Sequence, residues 1–182
     1  DFDDAFSDAR EFMCSDDLQE FIETHHLGRA SGVQVGMNGG HCNPRIVFGT
    51  ATAKDHIYNT PRAWYMYRYL DLDDAENHTP ESDDIPWCLE PEHAVTVEDV
   101  DFLLGSHYEG TPYDPYGTQG TEESRHRYRP IGINRTGHMV AMQIRPYAPV
   151  ESRSIMWISY GSGAFTTSAP FYANVDDTPA YL

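Results

Sequence analysis

Between Ser124 and Val150 the sequence carries five arginines (Arg125, Arg127, Arg129, Arg135 and Arg145) and no acid. A guanidinium is always charged and holds a carboxylate through two parallel N–H bonds, a geometry an ammonium does not offer. Such a run has two readings. Its members pair with surface acids elsewhere, where each pair contributes little, or one or two of them stand in a site that recognises an anion. The preference for arginine is general, since the chain has eleven arginines and a single lysine, Lys54.

Other residue types give weaker leads. Of the nine histidines, His25 and His26 are adjacent and so point to different faces of a helix. His41-Cys42 has no second pair at zinc-finger spacing, and there is no His-Glu-x-x-His run, so no metal site and no cofactor is expected. Cys14, Cys42 and Cys88 lie in no cysteine-protease signature and read as small packed or unpaired thiols. The cluster from His107 to Tyr116 mixes aromatics with acids. Tyr108, Tyr113 and Tyr116 there would suit a carbohydrate platform, so a noncatalytic carbohydrate- or peptide-binding module is the alternative reading.

The elements that must position these residues follow from periodicity. Phe2, Ala5, Phe6, Ala9, Phe12 and Met13 fall at helical spacing. Ser15-Asp16-Asp17 reads as the cap of a second helix with Leu18, Phe21, Ile22 and His25 inward, stopped at Gly28. The glycines 32, 36, 39 and 40 mark a flexible loop without the lysine of a phosphate loop. Arg45 to Phe48 is a possible strand. Pro61 opens a helix, and Thr96 caps another with Val97, Val100, Leu104, His107 and Tyr108 on one face. The acidic stretch from about 71 to 92 reads as a loop or disordered insertion. Met139–Ile144 and Ile155–Tyr160 read as strands covered on both faces. Helices early and strands late give an α+β class.

Charge excludes some partners. The chain has 12 basic against 29 acidic residues, a net charge of −17. That argues against nucleic acid and against an anionic membrane surface, and no apolar run reaches the length of a span. A cytoplasmic protein is expected. The acids concentrate in residues 1–24 and 71–84, so the remainder is nearly balanced.

Several ordered phrases resemble one family. They are Tyr58-Asn59 with Pro61-Arg62-Ala63-Trp64-Tyr65, the run from Ser106 to Asp114, Tyr116 to Thr121, Arg129 to Arg135, Gln143-Ile144-Arg145, and Pro170 to Val175 with Thr178-Pro179. Together they are similar to the PepD-type dipeptidases, a branch of the N-terminal nucleophile (Ntn) hydrolases. The similarity spans the chain, with divergence at 29–43 and 72–92. The resemblance implies an αββα sandwich and hydrolysis of a dipeptide substrate by a cysteine at the mature N-terminus. The α-amino group of that cysteine serves as general base.

The chain opens at Asp1, and none of its cysteines matches the nucleophile position. The expectation is therefore that residues 1–182 are an internal segment of one Ntn-hydrolase domain, inactive alone and prone to self-association. Within it, the resemblance makes Arg135 the candidate catalytic residue, favouring the thiolate and steadying negative charge. Arg129 and His138 are the candidate substrate-binding residues.

Overall fold

Helices occupy the first two thirds of the chain and a three-stranded antiparallel sheet most of the last third, an α+β arrangement. The computed structural model describes residues 15–27, 37–38, 41–42, 48–70, 75–83, 85, 90–178 and 180. The helix expected over 2–13, the stop at Gly28, and Cys14 and Cys88 lie outside the described residues.

Helix α1 (Leu18–Thr24) buries Ile22 against Leu18 and Leu27, whereas Phe21 and His25, expected inward, are exposed. The glycine-rich stretch, expected as a loop, contains a minimal antiparallel ladder of β1 (Met37–Asn38) and β2 (His41–Cys42). Phe48, expected in a strand, is helical and exposed; residues 45–47 lie outside the described set.

Two consecutive helices follow, α2 (Asp55–Tyr58) and α3 (Thr60–Leu70). Helix α3 buries Pro61, Trp64, Tyr65 and Tyr67. The described part of the acidic stretch, mostly turns and coil as a loop should be, packs against the core. Ala75 and Ile85 join the core around α3, and Trp64 Nε1 donates to the His78 carbonyl at 3.1 Å.

Helix α4 (Val97–Gly105) begins as the sequence requires. The Thr96 hydroxyl accepts from the Asp99 N–H, and the Asp99 carboxylate accepts from the Thr96 N–H, a capping box. It ends earlier than expected, so His107 and Tyr108 lie in the following loop rather than on its face. Tyr108 has φ +72°, which a helix cannot contain. Helix α5 (Glu122–Arg125) repeats the capping box with Thr121 and Ser124.

The sheet is a meander of β3 (His138–Ile144), β4 (Ser154–Tyr160) and β5 (Ala169–Tyr172). Met139 pairs with Ser159 and Ala141 with Trp157 on the face toward α4, while Val140 pairs with Ile158 and Met142 with Met156 on the other. The expectation of cover on both faces does not hold among the described residues. Met142 is 82% and Ile144 74% exposed, and Tyr160 is open on the same face toward the other end of the strand pair.

Between helices and sheet the backbone closes on itself at three glycines. A Cβ on Gly132 would land inside the Gly105 carbonyl, and one on Gly105 would meet Gly163 C at 2.8 Å. This contact sets the segment from Arg129 to Thr136 against the end of α4.

Candidate functional site

Arg129 is fixed at its backbone from three directions. Its N–H donates to the Ile57 carbonyl at 3.0 Å. Its own carbonyl accepts from the Tyr108 hydroxyl at 2.7 Å and from Arg62 Nε at 3.2 Å. Its guanidinium lies over the Tyr58 ring, 5.5 Å from the centroid, a cation–π placement that leaves the N–H edges available.

Asp55, at the start of α2, is buried and fully engaged. Thr52 donates to it from its hydroxyl at 2.5 Å and its N–H at 2.8 Å, and Asn59 Nδ2 donates at 2.6 Å. These bonds, the Thr52 hydroxyl foremost, hold its carboxyl well below the usual carboxylate range. The carboxylate is thus ionised but occupied.

Lys54, Asp55, Tyr58, Asn59, Arg62 and Arg129 line an open cleft of about 800 Å³. A second cleft, of about 620 Å³, adjoins it through Tyr58, Arg129 and Ile133 and adds Arg127 and Arg135. Asp55 is the one carboxylate among the described lining residues of either. Arg127 is paired with Glu81 at 2.6 Å, but Arg62, Arg129 and Arg135 have no carboxylate within 4 Å among the described residues. Burial pushes the Arg62 guanidinium down from its usual range; the nearby positive charge of Arg129 acts in the same direction and Tyr108 opposes both. In a strongly acidic chain, this concavity is cationic, and among the described residues no carboxylate pairs with Arg62, Arg129 or Arg135. Its chemistry is that of anion recognition.

The His107–Tyr116 cluster serves a different purpose. His107 Nδ1 is 2.8 Å from Asp114 Oδ1, and its Nε2 is 3.1 Å from Glu109 Oε1. Asp114 also accepts from the Tyr116 N–H at 2.9 Å, and the Tyr65 hydroxyl reaches Glu109 at 3.1 Å. The cluster ties the loop to α3. Tyr108 is 0% and Tyr116 60% exposed, with Tyr113 half-buried against Tyr128, so the three rings make no common platform. The binding-module reading loses the feature that motivated it.

Of the residues singled out from sequence, Arg129 lines both clefts and Arg135, exposed, lines the second. His138 is the exposed first residue of β3, opposite Tyr160, and lines neither. Arg62, Asp55 and Asn59 were not recognised. One signal was available for Arg62: the helix Thr60–Leu70 contains no acid, so an arginine there has no partner one turn away. Among the described residues no group of three side chains is gathered to hold a metal ion, and no helix is long and apolar enough to cross a membrane.

Comparison with known proteins assigns the class. The sequence profile of peptidase family C69 matches residues 1–182, and the chain belongs to that family. It is 53% identical to a dipeptidase of Bifidobacterium longum over 189 aligned positions, covering 100% of this chain and 34% of that protein. It is 43% identical to probable dipeptidase A of Streptococcus pyogenes, over 97% of this chain and 36% of the relative. Dipeptidase A of Lactobacillus helveticus is 38% identical, over 96% and 35%. The chain thus spans about a third of the length of the curated relatives it matches.

Proposed function

We propose that this chain is an internal segment of an Ntn-hydrolase catalytic domain that hydrolyses dipeptides, with an N-terminal cysteine nucleophile outside these 182 residues. The observation that carries the reading is the similarity to proteins named dipeptidases along the whole chain, reaching 53% identity. The cationic concavity supports it, because a dipeptide brings a free carboxylate and its hydrolysis develops negative charge on the scissile oxygen. In this reading the full protein is an αββα sandwich. The open face carrying Met142, Ile144 and Tyr160 is where its second sheet packs. The same face would make the 182 residues associate with one another when isolated.

The proposed roles are those the family resemblance implies. Arg135 stands beside the nucleophile, favouring thiolate over thiol and stabilising the developing oxyanion. Arg129 takes the substrate carboxylate, and His138 positions the substrate from the head of β3. The thiolate attacks the scissile carbonyl, the amine leaves, and water releases the acyl group.

The test is Arg135→Ala in the full-length protein. Loss of one such donor costs about 100-fold or more in kcat, with the fold intact by circular dichroism. Near-full dipeptide turnover by the folded variant refutes the role. Appreciable turnover by the 182 residues alone refutes the segment reading.

A further inference from the structure

We propose that Arg62 joins Arg129 in a two-guanidinium clamp for the free C-terminal carboxylate of the substrate, making Arg62 a specificity-determining residue. The inference rests on the dipeptidase reading and names how that site selects its substrate.

The geometry comes first. Arg62 Nε is committed to the Arg129 carbonyl, and that carbonyl is itself held by the buried Tyr108 hydroxyl. A planar guanidinium anchored by Nε has little freedom left. Its two terminal nitrogens have no acceptor among the described residues. The Arg129 guanidinium has none either, being positioned by the Tyr58 ring. Both residues line the same cleft, and the carboxylate already there, Asp55, is occupied by Thr52 and Asn59.

Energetics point the same way. Two like charges near each other in a half-buried cleft raise the free energy of the empty site, and a carboxylate arriving between them removes that cost. A neutral amide does not. Charge-assisted, fork-shaped recognition also favours a flat carboxylate over a round, weakly directional anion. Lys54 adds a third positive group to the same lining. A site built this way accepts short peptides that end inside it and rejects those whose C-terminus is amidated or extended.

The experiment compares a dipeptide with its C-terminal amide as substrates of the full-length protein. Wild type turns over the acid with a kcat/KM well above that of the amide. Arg62→Gln lowers kcat/KM for the acid by about 10–100-fold, the range for losing hydrogen bonds to a charged group. The loss falls on KM and is much smaller for the amide, so the acid-to-amide ratio of kcat/KM falls. Arg62→Lys recovers part of the loss, because charge returns without the fork. Arg129→Gln gives the same loss of discrimination and keeps its backbone carbonyl, so it carries the test if Arg62→Gln does not fold. Equal turnover of acid and amide by wild type, or discrimination that survives both Gln variants, overturns the clamp alone. A wild type that turns over neither substrate overturns the dipeptidase reading and the clamp with it.

Discussion

Gly132→Ala is the sharpest test of how this fold holds its cationic segment. Gly132 does not have positive φ, so by backbone freedom alone alanine would stabilise by about 0.4–1 kcal/mol. The surroundings reverse the sign. A Cβ at this position overlaps the carbonyl carbon and oxygen of Gly105, which are backbone atoms at the end of α4 and cannot rotate away. Overpacking of this kind costs about 1–3 kcal/mol. Moving the segment also stretches the bond from the Gly132 N–H to the Ser106 carbonyl, now 2.7 Å, which is worth about 0.5–1.5 kcal/mol. The net expectation is a destabilisation of roughly 0.5–4 kcal/mol. Gly137 is the internal control: it directly follows the same segment, has no positive φ, and nothing stands within 4 Å of a Cβ built on it. Gly137→Ala is therefore neutral or slightly stabilising. Denaturant midpoints of the full-length protein, followed by tryptophan fluorescence, measure both. Dipeptide turnover should fall for Gly132→Ala only, because Arg129 and Arg135 shift with their backbone. Gly132→Ala being as stable as Gly137→Ala refutes the packing argument.

Two smaller perturbations test the neighbouring elements. Tyr108→Phe removes a buried donor to the Arg129 carbonyl but leaves Arg62 Nε on it. It should cost about 0.5–1.5 kcal/mol in unfolding free energy and raise KM; an unchanged midpoint and KM refute the anchor. Asp99 is held at about 2 by the Thr96 N–H, the Tyr69 hydroxyl and the Thr96 hydroxyl, against 3.8 for a free carboxyl. A depressed carboxyl contributes stability above its unfolded pKa and loses it as pH falls through the folded one. Wild type should therefore melt above Asp99→Asn at pH 7, with the gap closing between pH 3.8 and about 2. A gap constant to pH 2 refutes the sign.

Local rules made the elements legible where the relevant groups are neighbours in sequence. Thr96 and Asp99 cap α4 from three residues apart, and the apolar runs at 139–144 and 155–160 became strands within one residue of their expected limits. The end of α4 was misread because Val97, Val100, Leu104, His107 and Tyr108 continue an apolar spacing past the point where Ser106 turns extended and Tyr108 goes left-handed. The sheet's outer face is open among the described residues for another reason: an apolar strand shows that it needs cover but not which residues supply it. The five arginines from 125 to 145 stood out because no acid lies among them, and the family resemblance picked Arg129 and Arg135 from the five. Arg62 did not stand out, since it meets Arg129 across 67 residues and its neighbours look like an ordinary packed helix.

The tyrosines of the core explain how loops can hold this site at all. Tyr65, Tyr108 and Tyr128 are buried, and burial is the first cause raising each phenol above its usual range, so all three stay protonated donors. Each uses that proton outside the ring cluster: Tyr65 on Glu109, Tyr108 on the Arg129 carbonyl, and Tyr128 on Glu81. A core of leucines would bury similar apolar area but could fix none of these contacts. Here the same side chains that exclude water around α3 also tether the segments near 81, 109 and 129 by hydroxyl bonds, replacing the ladders those segments lack. The Arg129 guanidinium is thereby referenced to the interior rather than to its own loop. Like charge between Arg62 and Arg129 then persists because neither backbone can relax away from the other. An anion is what remains to relieve it, and that makes rigidity in the core a condition for selectivity in the cleft.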